Sequence, residues 1–270
     1  MVGGAVSTCD THMHVYDSSY PAAPSATLLP PDAVLADYAT MQQAMGTERV
    51  VLVQPTTYGL DNSLHLAALA ELGEKARAVL VIDSSIDDEE LRRLTELGVR
   101  GARFQLLPGG AVARSELEAV AERIAPFGWH IQMQRNGHEL PDELDALLAL
   151  PCPLVIDHVG RFMPPVAPDH RSFQALLALV DAGAHVKLSA PYESALDPTH
   201  EYELVSQCVE ALVARAPDRM LWASNWPHPG QADPPSADDL LGLRDRWLPT
   251  AELRQQVLVT NPAALYGFDA

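Results

Sequence analysis

Cysteine is scarce. Cys9, Cys152 and Cys208 are three in 270 residues. That odd, unpaired count rules out a disulfide scaffold and points to a reducing compartment. Positive charge is scarce too: 18 Lys and Arg stand against 36 Asp and Glu, giving a formal net charge of −18. So acidic a surface repels phosphate backbones and anionic headgroups, which argues against nucleic acid and membrane as partners. No run of 18 apolar residues occurs, so no spanning helix is expected. The first residues, Met1 to Ser7, lack both a basic start and an apolar stretch fit for a secretory leader. The expectation is a cytoplasmic protein.

Several chemical motifs are missing as well. No glycine fingerprint follows the first strand, where Asp17-Ser18-Ser19-Tyr20-Pro21 stands instead, and this disfavours a dinucleotide fold. No Gly-x-Ser-x-Gly elbow exists, and none of the three cysteines sits in a nucleophilic setting. Leu107-Pro108-Gly109-Gly110-Ala111 lacks the Lys-Ser/Thr of a phosphate loop and reads as a plain turn.

What is present is a repeat of short β-branched runs and helical patterns, within a chain that is 47% apolar. The strands read as Cys9–Tyr16, Arg49–Gln54, Ala78–Asp83, Gly101–Leu106, His130–Gln134, Leu154–His158, His185–Ser189 and Met220–Asn225. Each is short and apolar, as parallel strands covered on both faces should be. Helices read as Ala33–Met45, Ser63–Leu72 with Asn62 as cap, and Asp87–Leu97. They continue with a capping box at Ser115 running to Gly128, then Phe173–Ala182, Glu201–Arg215, Asp238–Arg246 and Ala251–Leu258. Strand–helix alternation of this length predicts an α/β fold: one (β/α)8 TIM barrel spanning residues 1–270. Asp17–Pro31 is long for a βα loop and is expected over the catalytic mouth.

Barrel enzymes build their sites at the strand C-terminal ends. Here those ends carry His12 and His14, Gln54, Arg103 and Gln105, Gln132 and Gln134, Asp157-His158, Lys187 with Tyr192 beyond, and Asn225 with His228 beyond. His12 and His14 are two apart on a strand, so they share a face. Paired imidazoles suit a metal and equally suit acid–base work. Arg103 and Lys187 would be buried cations, paired structurally with Asp83 or Asp157, or holding a substrate carboxylate. Asn225 stands where a water-activating carboxylate would be useful, and a neutral amide cannot accept a proton.

Asp10-Thr11-His12-Met13-His14, Val155-Ile156-Asp157-His158-Val159-Gly160 and Ser224-Asn225-Trp226-Pro227-His228 resemble the amidohydrolase superfamily. The 107–112 segment, Val186–Ser194 and Asn225 are similar to its lactone hydrolase and isomerase branch, with galactarolactone isomerases as the nearest group. The resemblance spans essentially the whole chain. It implies a barrel acting on a small anionic lactone, mostly without tightly bound metal. Two departures stand out. The galactarolactone isomerases carry Gln where this chain has His12. The pyrone-dicarboxylate hydrolases carry Asp where it has Asn225, and a second Arg that the 106–112 segment lacks.

The resulting expectation is a lactone isomerase working by intramolecular acyl transfer. His14, His158 and Asn225 are the catalytic candidates. His12, Gln54, Arg103, Gln132, Gln134, Lys187, Tyr192 and His228 are the binding candidates, and no metal is required. The alternative is a lactone hydrolase, with zinc held by His12, His14 and His158.

Overall fold

The computed structural model describes residues 7–195 and 202–269. The leader reading of residues 1–6 and the expected helix start at Glu201 lie outside them. Eight strands pair in parallel in strict sequence order. They are β1 (Cys9–Met13), β2 (Arg49–Val53), β3 (Ala76–Leu80), β4 (Val99–Gln105), β5 (His130–Gln134), β6 (Leu154–Ile156), β7 (His185–Leu188) and β8 (Met220–Trp222). The ring closes at the C-terminal end of β1. There the His14 N–H donates to the Trp226 carbonyl at 2.8 Å, and the Asn225 N–H donates to the His12 carbonyl at 2.9 Å. The expected barrel is the observed one.

Helices α1 (Leu35–Met45), α2 (Ser63–Leu72), α3 (Asp88–Leu97), α4 (Leu117–Ile124), α5 (Leu140–Leu148), α6 (Arg171–Asp181), α7 (Glu203–Arg215) and α8 (Ala237–Trp247) come after the strands in turn. Short α9 (Ala251–Gln255) and α10 (Asn261–Tyr266) end the chain. Among the described residues no helix is long and apolar enough to cross a membrane. Cys9, Cys152 and Cys208 are all unpaired.

Two expected caps are not made. Asn62 turns its amide onto the Val81 carbonyl and accepts from the Val81 N–H, stitching α2 to the end of β3. Ser115 caps nothing. The helix opens one residue later through a short turn, and the Glu116 carboxylate accepts from Ser84 N–H and Oγ–H instead. At Asn62 a tertiary partner outcompetes the local backbone N–H for the side chain.

The interior fills from the bottom. Cys9, Val51, Val53, Val79, Val155 and Leu221 form a small apolar cluster stoppered by Tyr266 and Phe268. Above it β1 is irregular: its register with β2 shifts between Asp10 and Met13. An extra residue in a strand re-aims the side chains beyond it. Cys9 and His12 therefore both face inward although they are three apart.

The long segment after β1 does arch over the mouth. Thr27 Oγ donates to the Pro108 carbonyl at 3.2 Å and Thr57 Oγ to the Leu28 carbonyl at 3.0 Å. Two glycines make room for it. A Cβ on Gly109 would lie 2.5 Å from Thr27 Oγ, and one on Gly59 would lie 2.9 Å from Ala23 Cβ; both residues have positive φ. The Pro-Gly-Gly stretch is a plain turn, as expected, and its use is to seat this arch.

Candidate active site

A cavity of about 220 Å³ opens between the arch and the strand ends, lined by His14, Tyr16, Arg103, Gln134, His158 and Asn225, with Arg161 and Glu193 also on its wall. His158 and Asn225 lie just past β6 and β8, at φ 53° and 60°. Left-handed backbone is uncommon outside glycine, but Asn, Asp and His are the side chains that tolerate it best. Asp10 fixes the β8 end beneath Asn225. It is buried and accepts from Ser224 N–H at 2.9 Å, Ser224 Oγ–H at 2.5 Å and Tyr38 O–H at 2.9 Å.

His12, Gln132 and Lys187 form a layer below the cavity. Lys187 Nζ donates to the Thr11 carbonyl and to Gln132 Oε1, each at 2.7 Å. Gln132 Nε2 donates to Asp157 Oδ2 at 3.1 Å. Gln54 is occupied elsewhere: its amide donates to the Asp61 carbonyl at 2.7 Å and its backbone carbonyl accepts from Arg103 at 2.7 Å. Arg103 also donates to Gln134 Oε1 at 2.9 Å, while its buried Nε has no partner. Asp157 is the carboxylate shared by both buried cations, 3.9 Å from Arg103 and 3.9 Å from Lys187. Asp83, the other expected partner, instead accepts from Ser85.

The histidine tautomers are set by their neighbours. His14 Nδ1 lies 2.7 Å from the Val53 carbonyl, which can only accept, so Nδ1 carries the proton. His14 Nε2 is then bare, and His12 Nε2, 3.2 Å away, donates to it. That leaves His12 Nδ1 bare, facing Lys187 Nζ at 3.3 Å. Burial and the nearby cations hold both rings well below the ordinary imidazole pKa, so both are neutral. Lys187 is pushed down to about 8, chiefly by burial. Both His14 nitrogens are therefore engaged. His158 differs: its Nδ1 lies 2.9 Å from Ser189 Oγ, which leaves the other ring nitrogen uncommitted beside the cavity. Burial lowers its pKa as well.

Asn225, Tyr192 and His228 form a second chain. Asn225 Nδ2 donates to Tyr192 Oη at 2.9 Å, and Tyr192 Oη is hydrogen-bonded to His228 Nδ1 at 2.9 Å. Both ends are loose, since Asn225 Oδ1 and His228 Nε2 are buried without partners among the described residues. Tyr192 and His228 support Asn225 from behind rather than lining the cavity.

The alternative expectation places zinc here, and the donor set can be tested for it. His12, Asp157 and His158 come within sharing distance of a cation. The expected zinc trio included His14, but its ring is turned onto Val53 and His12 and it does not join the group. The group's only carboxylate is already flanked by the Lys187 ammonium and the Arg103 guanidinium. A divalent ion would add two charges beside two buried cations, against one carboxylate. These residues do not fit a metal.

Strand ends alone do not disclose the whole wall. Arg161 and Glu193 lie one loop beyond β6 and β7, where Arg161 Nε donates to Glu193 Oε2 at 2.8 Å. Arg161 directly follows Val159-Gly160, and Glu193 directly follows Tyr192. Tyr16 lies past β1, and the sequence pattern marks it only as the end of that strand. Ser189, the partner of His158, is likewise marked only as a strand end.

Fold and site together define a (β/α)8 enzyme barrel with a histidine-rich, cation-bearing mouth. The amidohydrolase family profile matches residues 9–268, and the chain belongs to that family. It is 38% identical to the D-galactarolactone isomerase of Agrobacterium fabrum over 95% of this chain and 90% of that protein. It is 35% identical to the 2-pyrone-4,6-dicarboxylate hydrolase of Comamonas testosteroni over 95% and 89%. A crystal structure from Agrobacterium tumefaciens superimposes with a TM-score of 0.92 at 37% identity, covering 98% of this chain and 97% of the other.

Proposed function

We propose that this enzyme isomerises lactones of a sugar diacid by intramolecular acyl transfer, without a metal. The carrying observation is Asn225: at the end of β8, the cavity shared with His158 and Arg103 is lined by a neutral amide whose buried Oδ1 has no partner among the described residues. Hydrolysis needs a group there that takes a proton from water, and an amide does not. Isomerisation needs a substrate hydroxyl oriented toward the lactone carbonyl, and an unpartnered amide oxygen can accept that hydroxyl's hydrogen bond.

Arg103 holds the free carboxylate of the lactone with its remaining N–H groups. With Nδ1–H donating to Ser189 Oγ, the bare Nε2 of His158 takes the proton from the attacking hydroxyl. The tetrahedral oxyanion that forms collapses by expelling the ring oxygen, and His158 returns the same proton to it. Nothing is consumed, and the arch of Thr27 and Leu28 overhangs the cavity in which this happens. Identity to the galactarolactone isomerase of A. fabrum supports the reading. Lactone hydrolysis is the second reading, favoured by one observation: the free nitrogen of His158 could serve water as well as a hydroxyl. The deciding experiment incubates the enzyme with aldarate monolactones and follows the products by NMR. A second lactone supports isomerisation, and a free diacid as sole product overturns it.

A further inference from the structure

The cavity wall carries two cations, yet one of them is already neutralised. Among the described residues Arg103 has no carboxylate within direct hydrogen-bond distance; Asp157 stands 3.9 Å off, and the buried Arg103 Nε is unpartnered. Arg161 instead meets Glu193 at 2.8 Å, with side chains 17% and 18% exposed. Both members of that pair line the cavity. A substrate carboxylate approaching Arg161 must displace Glu193 or sit beside its negative charge, and like-charge juxtaposition is strongly discriminating. Glu193 Oε2 serves Arg161, which leaves Oε1 to accept from a neutral donor such as a hydroxyl.

We propose that Glu193 is a specificity-determining residue: by occupying Arg161 it limits the cavity to lactones bearing one free carboxylate and several hydroxyls, and rejects lactones bearing two. An aldarate monolactone has the first charge pattern and a pyrone-dicarboxylate the second. The inference rests on the reading of this cavity as a lactone site, and it names which lactones enter.

The test is binding, read by calorimetry and thermal shift on the wild type, Glu193→Gln, Arg161→Gln and the double variant. The ligands are a hydroxylated monocarboxylate lactone (D-galactarolactone) and a dicarboxylate lactone (2-pyrone-4,6-dicarboxylate). The wild type should prefer the monocarboxylate. Glu193→Gln keeps the shape, frees Arg161, and should tighten the dicarboxylate roughly tenfold to a hundredfold, the range of one charge-assisted contact. That gain should vanish in the double variant, which a merely structural loss would not produce. A wild type that binds the dicarboxylate as tightly as the monocarboxylate overturns the proposal. So does a folded Glu193→Gln that gains nothing while the wild type still binds the monocarboxylate. If neither lactone binds any of the four proteins, the lactone reading itself fails and takes this inference with it.

Discussion

Asn225 Nδ2 lies 2.9 Å from Tyr192 Oη, and the amide's other atom, Oδ1, is buried without a partner. The tyrosine thereby orients the amide, so that oxygen rather than nitrogen is left for a ligand. Asn225→Asp is the sharpest probe of that arrangement. Aspartate tolerates the φ of 60° that Asn225 adopts, so the fold should survive. It adds negative charge beside an anionic substrate and a developing oxyanion, and isomerisation should fall ~10-fold or more. It also supplies a base, so a trace of ring-opened acid should appear in the NMR product analysis. Unchanged isomerisation rates in the variant would remove Asn225 from the mechanism.

Tyr192→Phe removes the middle of the chain while keeping its ring. Asn225 Nδ2 and His228 Nδ1 both lose their partner, and two buried polar groups are left unsatisfied. Stability should drop by about 1–3 kcal/mol, the usual cost of such orphans, measured by urea denaturation. Because the amide is then free to turn over, kcat should fall roughly tenfold while KM changes little. A loss of stability with kcat intact would make the tyrosine a packing residue only.

The pH profile is governed by burial. As the proposed base, His158 must be neutral to accept a proton, and burial holds its pKa well below 6.5. Activity should therefore stay level as pH falls through 6.5, where an ordinary histidine would already be protonated. On the alkaline side Lys187, at about 8, loses its proton early. His12 then loses its cationic neighbour, and kcat/KM should fall above about 8. Stability moves the other way. The unfolded lysine titrates near 10.5, so between about 8 and 10.5 the unfolded chain binds more protons and this group's contribution to stability rises with pH. Activity loss above pH 8 without loss of thermal midpoint is the expected pair of curves. An acid limb at 6.5 would show a solvated base instead.

Chelation should leave activity intact. The candidate trio His12, Asp157 and His158 shares its space with Lys187 and Arg103, which already neutralise the carboxylate. Dialysis against EDTA followed by assay and metal analysis checks this. Activity lost to the chelator and restored by about one zinc per chain would show that the ammonium yields to metal.

Much of this is legible in the sequence because barrel strands are short apolar runs with polar residues at their C-terminal ends. Strand His130–Gln134 matches its sequence pattern to the residue, whereas the patterns for β6 and β8 run too long, through His158 and Asn225. The cause is physical: both residues leave the sheet into left-handed backbone, and an apolar pattern does not encode that turn. Depth is also hidden. Spacing places Lys187 and Gln132 on the inner face but does not say that they lie below the cavity, bonded to Thr11 and Asp157. The β1 irregularity has no sequence signal beyond the residues themselves. The cap at Asn62 fails for a related reason, since local pattern cannot see a distant carbonyl.

Arg103→Lys keeps the charge and removes the fork. In the wild type the guanidinium is held by the Gln54 carbonyl at 2.7 Å and Gln134 Oε1 at 2.9 Å, so its orientation is fixed before substrate arrives. An ammonium cannot keep both bonds and also present two parallel N–H groups to a carboxylate. One lost charge-assisted contact costs ~1.5–3 kcal/mol, so kcat/KM should fall roughly tenfold or more. If the arginine binds ground state and transition state alike, the loss will appear in KM, with kcat nearly constant. If it also positions the lactone carbonyl, kcat will fall too. Its second neighbour, Asp157 at 3.9 Å, offers the competing account of a purely structural ion pair. That account predicts a lowered thermal midpoint with near wild-type kinetics, and steady-state assay beside thermal denaturation of the same preparation separates the two.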